Sequence, residues 1–190
     1  MSLTLFASLF SCNSPPPSET DAEKITPYDK MSYQEMIAQI HTPEEVQDYI
    51  SHYITKEEEE EPYAYSFRLF HERRKGDCSE AVVAAAALLI DDGYPPYALI
   101  FRSHYLHSDK HGIFVYEREG YWGSLGINNS DVIPPFYTLE KLAAKFGMYR
   151  EYAFVRLSVE DFPGWISGSE DLNRNKRFFG LQPVYKRIER

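Results

Sequence analysis

The sequence predicts an α+β fold, and three observations carry that prediction. Residues 33 to 54 carry apolar side chains at helical spacing, and Ala81 to Ile90 is an apolar run built largely on alanine. From Tyr97 onward the chain breaks into short runs rich in aromatic and β-branched residues, the composition of strands. Helices come first and strands follow, without a β-α-β alternation. That order points to N-terminal helices and a buried helix packed on a mostly antiparallel sheet.

Taken in order, Tyr33 to Ile40 reads as a short helix. Thr42-Pro43-Glu44-Glu45 is a helix start: Thr42 can cap, Pro43 suits the first helical position, and Glu45 completes a capping box. Val46, Tyr49, Ile50 and Tyr53 then recur on one face, giving an amphipathic helix to about Ile54. Lys56 and the run Glu57 to Glu61, closed by Pro62, read as a solvated loop. The alanines of Ala81 to Ile90 favour helix over strand, and a helix that is apolar all round is buried. Gly93 and Pro95-Pro96 end it. Strands follow at Tyr97 to Arg102, Gly112 to Glu117 and Tyr121 to Ile127, the last two joined by the hairpin signal Arg118-Glu119-Gly120. Thr138 to Phe146 reads as one more helix closed by Gly147, and Glu151 to Ser158 as a further strand. The tail from Asp161 reads as irregular, anchored by Phe162, Trp165, Phe178 and Phe179.

Composition narrows the class of function. At 190 residues the chain makes one ordinary domain with a tail, and its 43% hydrophobic and 15% aromatic content excludes a disordered polymer. Twenty Lys plus Arg against 29 Asp plus Glu leave a net charge of −9, which argues against a nucleic-acid or anionic-membrane surface. Two cysteines cannot knit a disulfide scaffold or fill a four-cysteine zinc site.

The first of them, Cys12, follows the apolar run Leu3 to Phe10, which is too short to span a bilayer and suits the core of a secretory signal. Leu9-Phe10-Ser11-Cys12 resembles the lipobox of bacterial lipoproteins. The resemblance implies lipidation of Cys12, with the Ser/Pro-rich stretch behind it as a flexible tether. Residues 1–27 are then a signal and tether, and 28–190 one domain. The expected location is the bacterial cell envelope, with the membrane touched only through the lipid.

The second, Cys78, follows Lys75-Gly76-Asp77 and falls in or next to the first turn of the alanine-rich helix. Unpaired backbone N–H groups and the helix dipole favour an anion there, so a thiolate is stabilised and an oxyanion could be held. The plain alternative is a buried structural thiol. A thiolate nucleophile needs an imidazole to take and return a proton, and His111, opening the strand that begins at Gly112, is the candidate.

The stretch Arg74-Lys75-Gly76-Asp77-Cys78-Ser79-Glu80-Ala81 resembles the nucleophile motif of the transglutaminase-like superfamily. His111-Gly112-Ile113-Phe114-Val115-Tyr116 with Gly120-Tyr121-Trp122 resembles its histidine strand and following hairpin. Upstream, Pro43-Glu44-Glu45 and Phe67 to Arg74 are similar to the helical lead-in of such domains, so the likeness covers roughly residues 42 to 130. The resemblance implies a papain-like core and thiol acyl transfer by a cysteine peptidase, amidase or transglutaminase, with a protein or peptide as substrate. It implies Cys78 as nucleophile and His111 as base, with no cofactor. Members orient the histidine with an Asp or Asn beyond the tryptophan. Here that place, near Gly126, has no side chain, so Asn128 is the substitute, with Asp131 next. The missing group leaves a rival: an inactive domain of the same fold that binds a protein or peptide in its cleft.

His104, His107 and His111 have a spacing that would suit a metal on a helix. His104 and His107 fall in a polar loop, Ser103 to Lys110, where that spacing fixes no geometry, so no metal site is expected.

Overall fold

A computed structural model describes residues 26–57, 64–103, 110–127, 131–168 and 184–189 of the chain. Its first two helices, α1 (Tyr33–Gln39) and α2 (Pro43–Tyr53), start on hydroxyl caps: Glu35 N–H donates to Ser32 Oγ and Glu45 N–H to Thr42 Oγ1, each at 3.3 Å. In both, the glutamate reaches back to the cap's own N–H, closing the box read from the sequence at Thr42. Helix α3 (Phe67–Arg73) is capped by Ser66 and ends at Arg74, whose φ of 56° turns the chain sharply. Strands β1 (Thr55–Lys56) and β2 (Lys75–Gly76) bracket α3 and pair in parallel, Thr55 with Lys75 and Lys56 with Gly76. Lys56 is thus in a strand rather than a loop. Glu57 beside it pairs with Arg73 at 3.1 Å, while the rest of the acidic run lies outside the described residues.

Helix α4 (Cys78–Leu89) is the alanine-rich segment, and Ser79 to Leu89 are all buried. Beyond it, six strands form one sheet in the order β6-β5-β4-β3-β7-β8: β3 (Tyr97–Arg102), β4 (Lys110–Arg118), β5 (Tyr121–Leu125), β6 (Asp131–Phe136), β7 (Glu151–Arg156) and β8 (Lys186–Arg187). Every neighbouring pair in it is antiparallel. The β4–β5 hairpin turns on Glu119 and Gly120, at φ 57° and 81°, the left-handed pair that a tight hairpin needs. Helices plus a mostly antiparallel sheet make the fold α+β, as the order of sequence patterns predicts.

The sheet has a core on each face. Side chains of a strand alternate, so Phe114 and Tyr116 of β4 join α4, α2 and α3 in the larger core, while Ile113 and Val115 point the other way. That second face is covered by α5 (Leu139–Lys145), through Leu142, Ala143 and Phe146. Two elements depart from the sequence reading. Strand β6, which contains Pro134-Pro135, has no counterpart in the sequence reading. It forms because β6 is the edge strand, where a missing N–H costs no ladder bond. The segment read as irregular contains α6 (Phe162–Ser167), which packs on α3 and α4 and brings Trp165 and Ile166 against the larger core. Phe178 and Phe179 lie outside the described residues, as does Cys12. Among the described residues no helix is long and apolar enough to cross a membrane.

Helix α2 is tied to the sheet by a buried amide. Gln47, 6% exposed, donates from Nε2 to Gly126 O at 3.1 Å and accepts Gly126 N–H on Oε1 at 3.0 Å. The side chain thus pairs with backbone as a strand would. Truncating it orphans two buried backbone groups, each worth about 1–3 kcal/mol when left unpaired. Gln47→Ala is expected to lower the urea-unfolding free energy by about 2–4 kcal/mol, with the native spectrum retained at low urea.

Candidate active site

Cys78 is the first residue of α4, and the site is built around that position. Asp77 is the cap: its Oδ1 accepts both Ser79 N–H and Ser79 Oγ–H at 2.6 Å. Gly76 precedes it because nothing larger fits. A Cβ there would lie 2.6 Å from the Phe70 ring and 3.1 Å from Glu80 Oε2. The chain therefore enters α4 pressed against α3.

The Cys78 sulfur accepts the Gly112 N–H of β4 at 3.4 Å. Strand N–H groups lie in the plane of the sheet, so the sulfur sits at the edge of β4 rather than over a face. The edge is open there, because pairing between β4 and β5 reaches only as far as Phe114 with Leu125. An amide nitrogen lies about 2.4 Å from the preceding Cα, so the sulfur is within about 6 Å of the His111 Cα.

His111 is thus the immediate neighbour of the residue that holds the thiol. Its ring, however, follows Ile113 and Val115 onto the face covered by α5. There it stacks with Tyr149 (centroids 5.9 Å apart, 8° between planes) and lies near Phe101 and Phe146 at 6.3 and 6.1 Å. Among the described residues no hydrogen bond joins Cys78 to His111. The direct pair expected from the sequence is therefore replaced by adjacency across a strand edge. Strand alternation is the reason: Gly112 faces the helix, so His111 cannot. Gly112 and His111 are both interior to β4, which begins at Lys110, before the expected start.

The electrostatics also differ from expectation. Burial, then the neighbouring Asp77 carboxylate, push the Cys78 thiol up to about 12, and the Gly112 N–H offsets this only in part. The helix start alone would favour a thiolate. Desolvation and an acid at the cap outweigh it. Burial holds the His111 imidazole below its ordinary value, helped by the Lys56 ammonium and opposed by Asp77. The resting site thus pairs a protonated thiol with a neutral imidazole.

Asn128, the residue expected to orient His111, lies outside the described residues. Asp131 is turned to Lys145, with which it forms an ion pair. Gly126 offers only backbone, and Gln47 occupies it. His104 and His107 also lie outside the described residues, and among those described no three His, Cys, Asp or Glu side chains converge as metal ligands. The residues missed from sequence are Tyr149, Lys56, Asp77 and Glu80. The Asp77-x-x-Glu80 spacing is a readable capping box. Nothing in the sequence marks Tyr149 as the partner of His111.

Glu80 is fully buried. Its Oε2 accepts Asp77 N–H at 2.8 Å and its Oε1 accepts Tyr65 N–H at 2.9 Å, yet burial and the adjacent Asp77 raise its carboxyl from 4.5 to about 9. Unfolded, this acid loses its proton near 4.5, while the folded chain keeps it to about 9. In that window the folded state binds more protons, so this group's contribution to stability falls as pH rises. The urea midpoint of the parent relative to Glu80→Gln is therefore expected to drop between pH 5 and pH 8.5. An unchanged difference would mean that Glu80 is ionised in the fold. No protein-family model matches the chain, and no curated protein matches it.

Proposed function

We propose that the chain is a thiol-dependent acyl-transfer enzyme with a transglutaminase-like, papain-related core, acting through Cys78 and His111. The observation that carries the reading is the hydrogen bond from Gly112 to the Cys78 sulfur. It puts a thiol from the first turn of a buried helix within one residue of an imidazole on a central strand. The sulfur lies at the edge of β4 beside the His111 backbone, so the reading requires the His111 side chain to turn out of its stack with Tyr149 to meet the thiol. Catalytic contacts of this kind commonly close only when substrate is bound.

In the reaction, His111 takes the Cys78 proton as the sulfur attacks an amide or ester carbonyl. The tetrahedral oxyanion draws on the Cys78 backbone N–H at the start of α4. Collapse breaks the bond to the leaving amine or alcohol, which receives the proton from His111, and a thioester remains on Cys78. Water then releases an acid, or an amine takes the acyl group. Asn128 is assigned to orient the imidazole, on sequence grounds. A protein or peptide substrate, lipidation at Cys12 and a place in the bacterial cell envelope belong to the same proposal and rest on the sequence.

One observation favours a second reading. The stacked His111 ring and the protonated thiol suit a domain that has kept this architecture to bind a protein or peptide without turning it over. Acylation separates the two. Treated with an activated ester, the enzyme is expected to gain one acyl mass on Cys78, lost in Cys78→Ala. In His111→Ala acylation should slow by about 10²–10⁴-fold, the usual worth of a general base. Equal acylation of the parent and His111→Ala, or none in either, would decide for the binding module.

A further inference from the structure

Among the described residues, three α-helices begin with the same reciprocal box, and one of them is built differently. At α1 and α2 the cap is a hydroxyl, Ser32 or Thr42, and the answering Glu35 and Glu45 are exposed, with carboxyls held below the ordinary range by the N–H groups they accept. At α4 the cap is Asp77, so two carboxyls meet, and Glu80 is buried rather than exposed. A hydroxyl cap would serve the helix equally well. An acid cap answered by a buried acid adds something other than helix stability, and it does so on either side of the cysteine.

The geometry points to Glu80 as the positioning residue of Cys78. Its carboxyl, joined to Asp77, fixes the first turn of α4 to the Tyr65 segment and sets how readily the thiol ionises. One oxygen holds the Asp77 N–H and the other the Tyr65 N–H, so a single side chain locks the backbone immediately before the cysteine to a second segment. The space beside it is filled, since even a Cβ on Gly76 would crowd both Phe70 and Glu80 Oε2. The charged and titratable groups around the sulfur come from three elements: Asp77 and Glu80 on α4, His111 on β4 beside the Gly112 N–H, and Lys56 on β1, which acts on His111. Those nearest the thiol are acids that oppose a thiolate. The acid pair therefore holds the nucleophile silent in the empty site. Its regulatory meaning rests on the acyl-transfer reading, while the ionisation of the thiol can be measured without it.

The experiment is iodoacetamide labelling of the full chain across pH, with the modification read on the Cys78 peptide so that Cys12 does not interfere. The parent is expected to label slowly until well above pH 9. Asp77→Ser converts the cap to the form seen at α1, and Glu80→Gln keeps the shape of the buried side chain. Asp77→Ser should shift the labelling midpoint down by about one unit, which, after the weaker nucleophilicity of a less basic thiolate, is roughly a three-fold faster rate at pH 8. Glu80→Gln removes no charge below about pH 9, so it should lower the midpoint while leaving the rate at pH 8 close to the parent's. His111→Ala serves as a reference. Profiles of Asp77→Ser and Glu80→Gln that superimpose on the parent's, with thermal midpoints intact, would overturn the proposal. Should Glu80→Gln fail to fold, Asp77→Ser decides alone. Shifted midpoints in a chain that forms no acyl-enzyme would keep Glu80 in this role and discard acyl transfer. Acylation with unmoved midpoints would do the reverse.

Discussion

The packing of α4 on β4 is the constraint on which the rest of the structure depends. Alanines at 81 and 84 to 87 make a helix thin enough to lie close to a strand, and Gly112 opposite its start adds no side chain to hold the two apart. That closeness lets a backbone N–H of the strand reach the sulfur of the helix's first residue. Helices α2, α3 and α6 complete the cover of α4, so the first turn has little freedom to shift. A bulkier helix would keep the same topology and lose the contact, because the reach of a hydrogen bond is shorter than the spacing that larger side chains impose.

Close packing also sets the chemistry. A helix start in water favours an anion, and the same start buried against a sheet, with an aspartate for a cap, favours a neutral thiol. On the opposite face, the pocket of Phe101, Phe146 and Tyr149 keeps the imidazole neutral by the same desolvation. Both potential charges of a thiolate–imidazolium pair are thus suppressed by burial, the thiol at the edge of β4 and the imidazole on the face covered by α5.

Much of the architecture is legible in the sequence, because local signals there agree with the tertiary result. The capping box at Thr42, the alanine run after Cys78 and the turn at Glu119-Gly120 each have one local solution, and the chain adopts it. What is not legible depends on partners far along the chain. Pro134-Pro135 forbids a central strand but not an edge one, and edge position is a property of the whole sheet. The stack of Tyr149 on His111 joins β4 to the turn after α5, which no local pattern reports. The face on which His111 lies follows from the register of β4 against α4. A histidine beside a glycine in a strand does not reveal which of the two meets the helix. The acid pair at Asp77 and Glu80 is readable as a cap, but its burial is not.

A thiol held protonated by its surroundings is a slow partner for disulfides and peroxides, since the thiolate is the form that attacks them. The unfolded chain carries Cys78 with its ordinary acidity, and the folded chain does not. Folding therefore also acts as chemical protection. In the folded chain the thiolate that disulfides and peroxides require is disfavoured, so this sulfur should be attacked more slowly there than in chains that have not closed α4 onto β4.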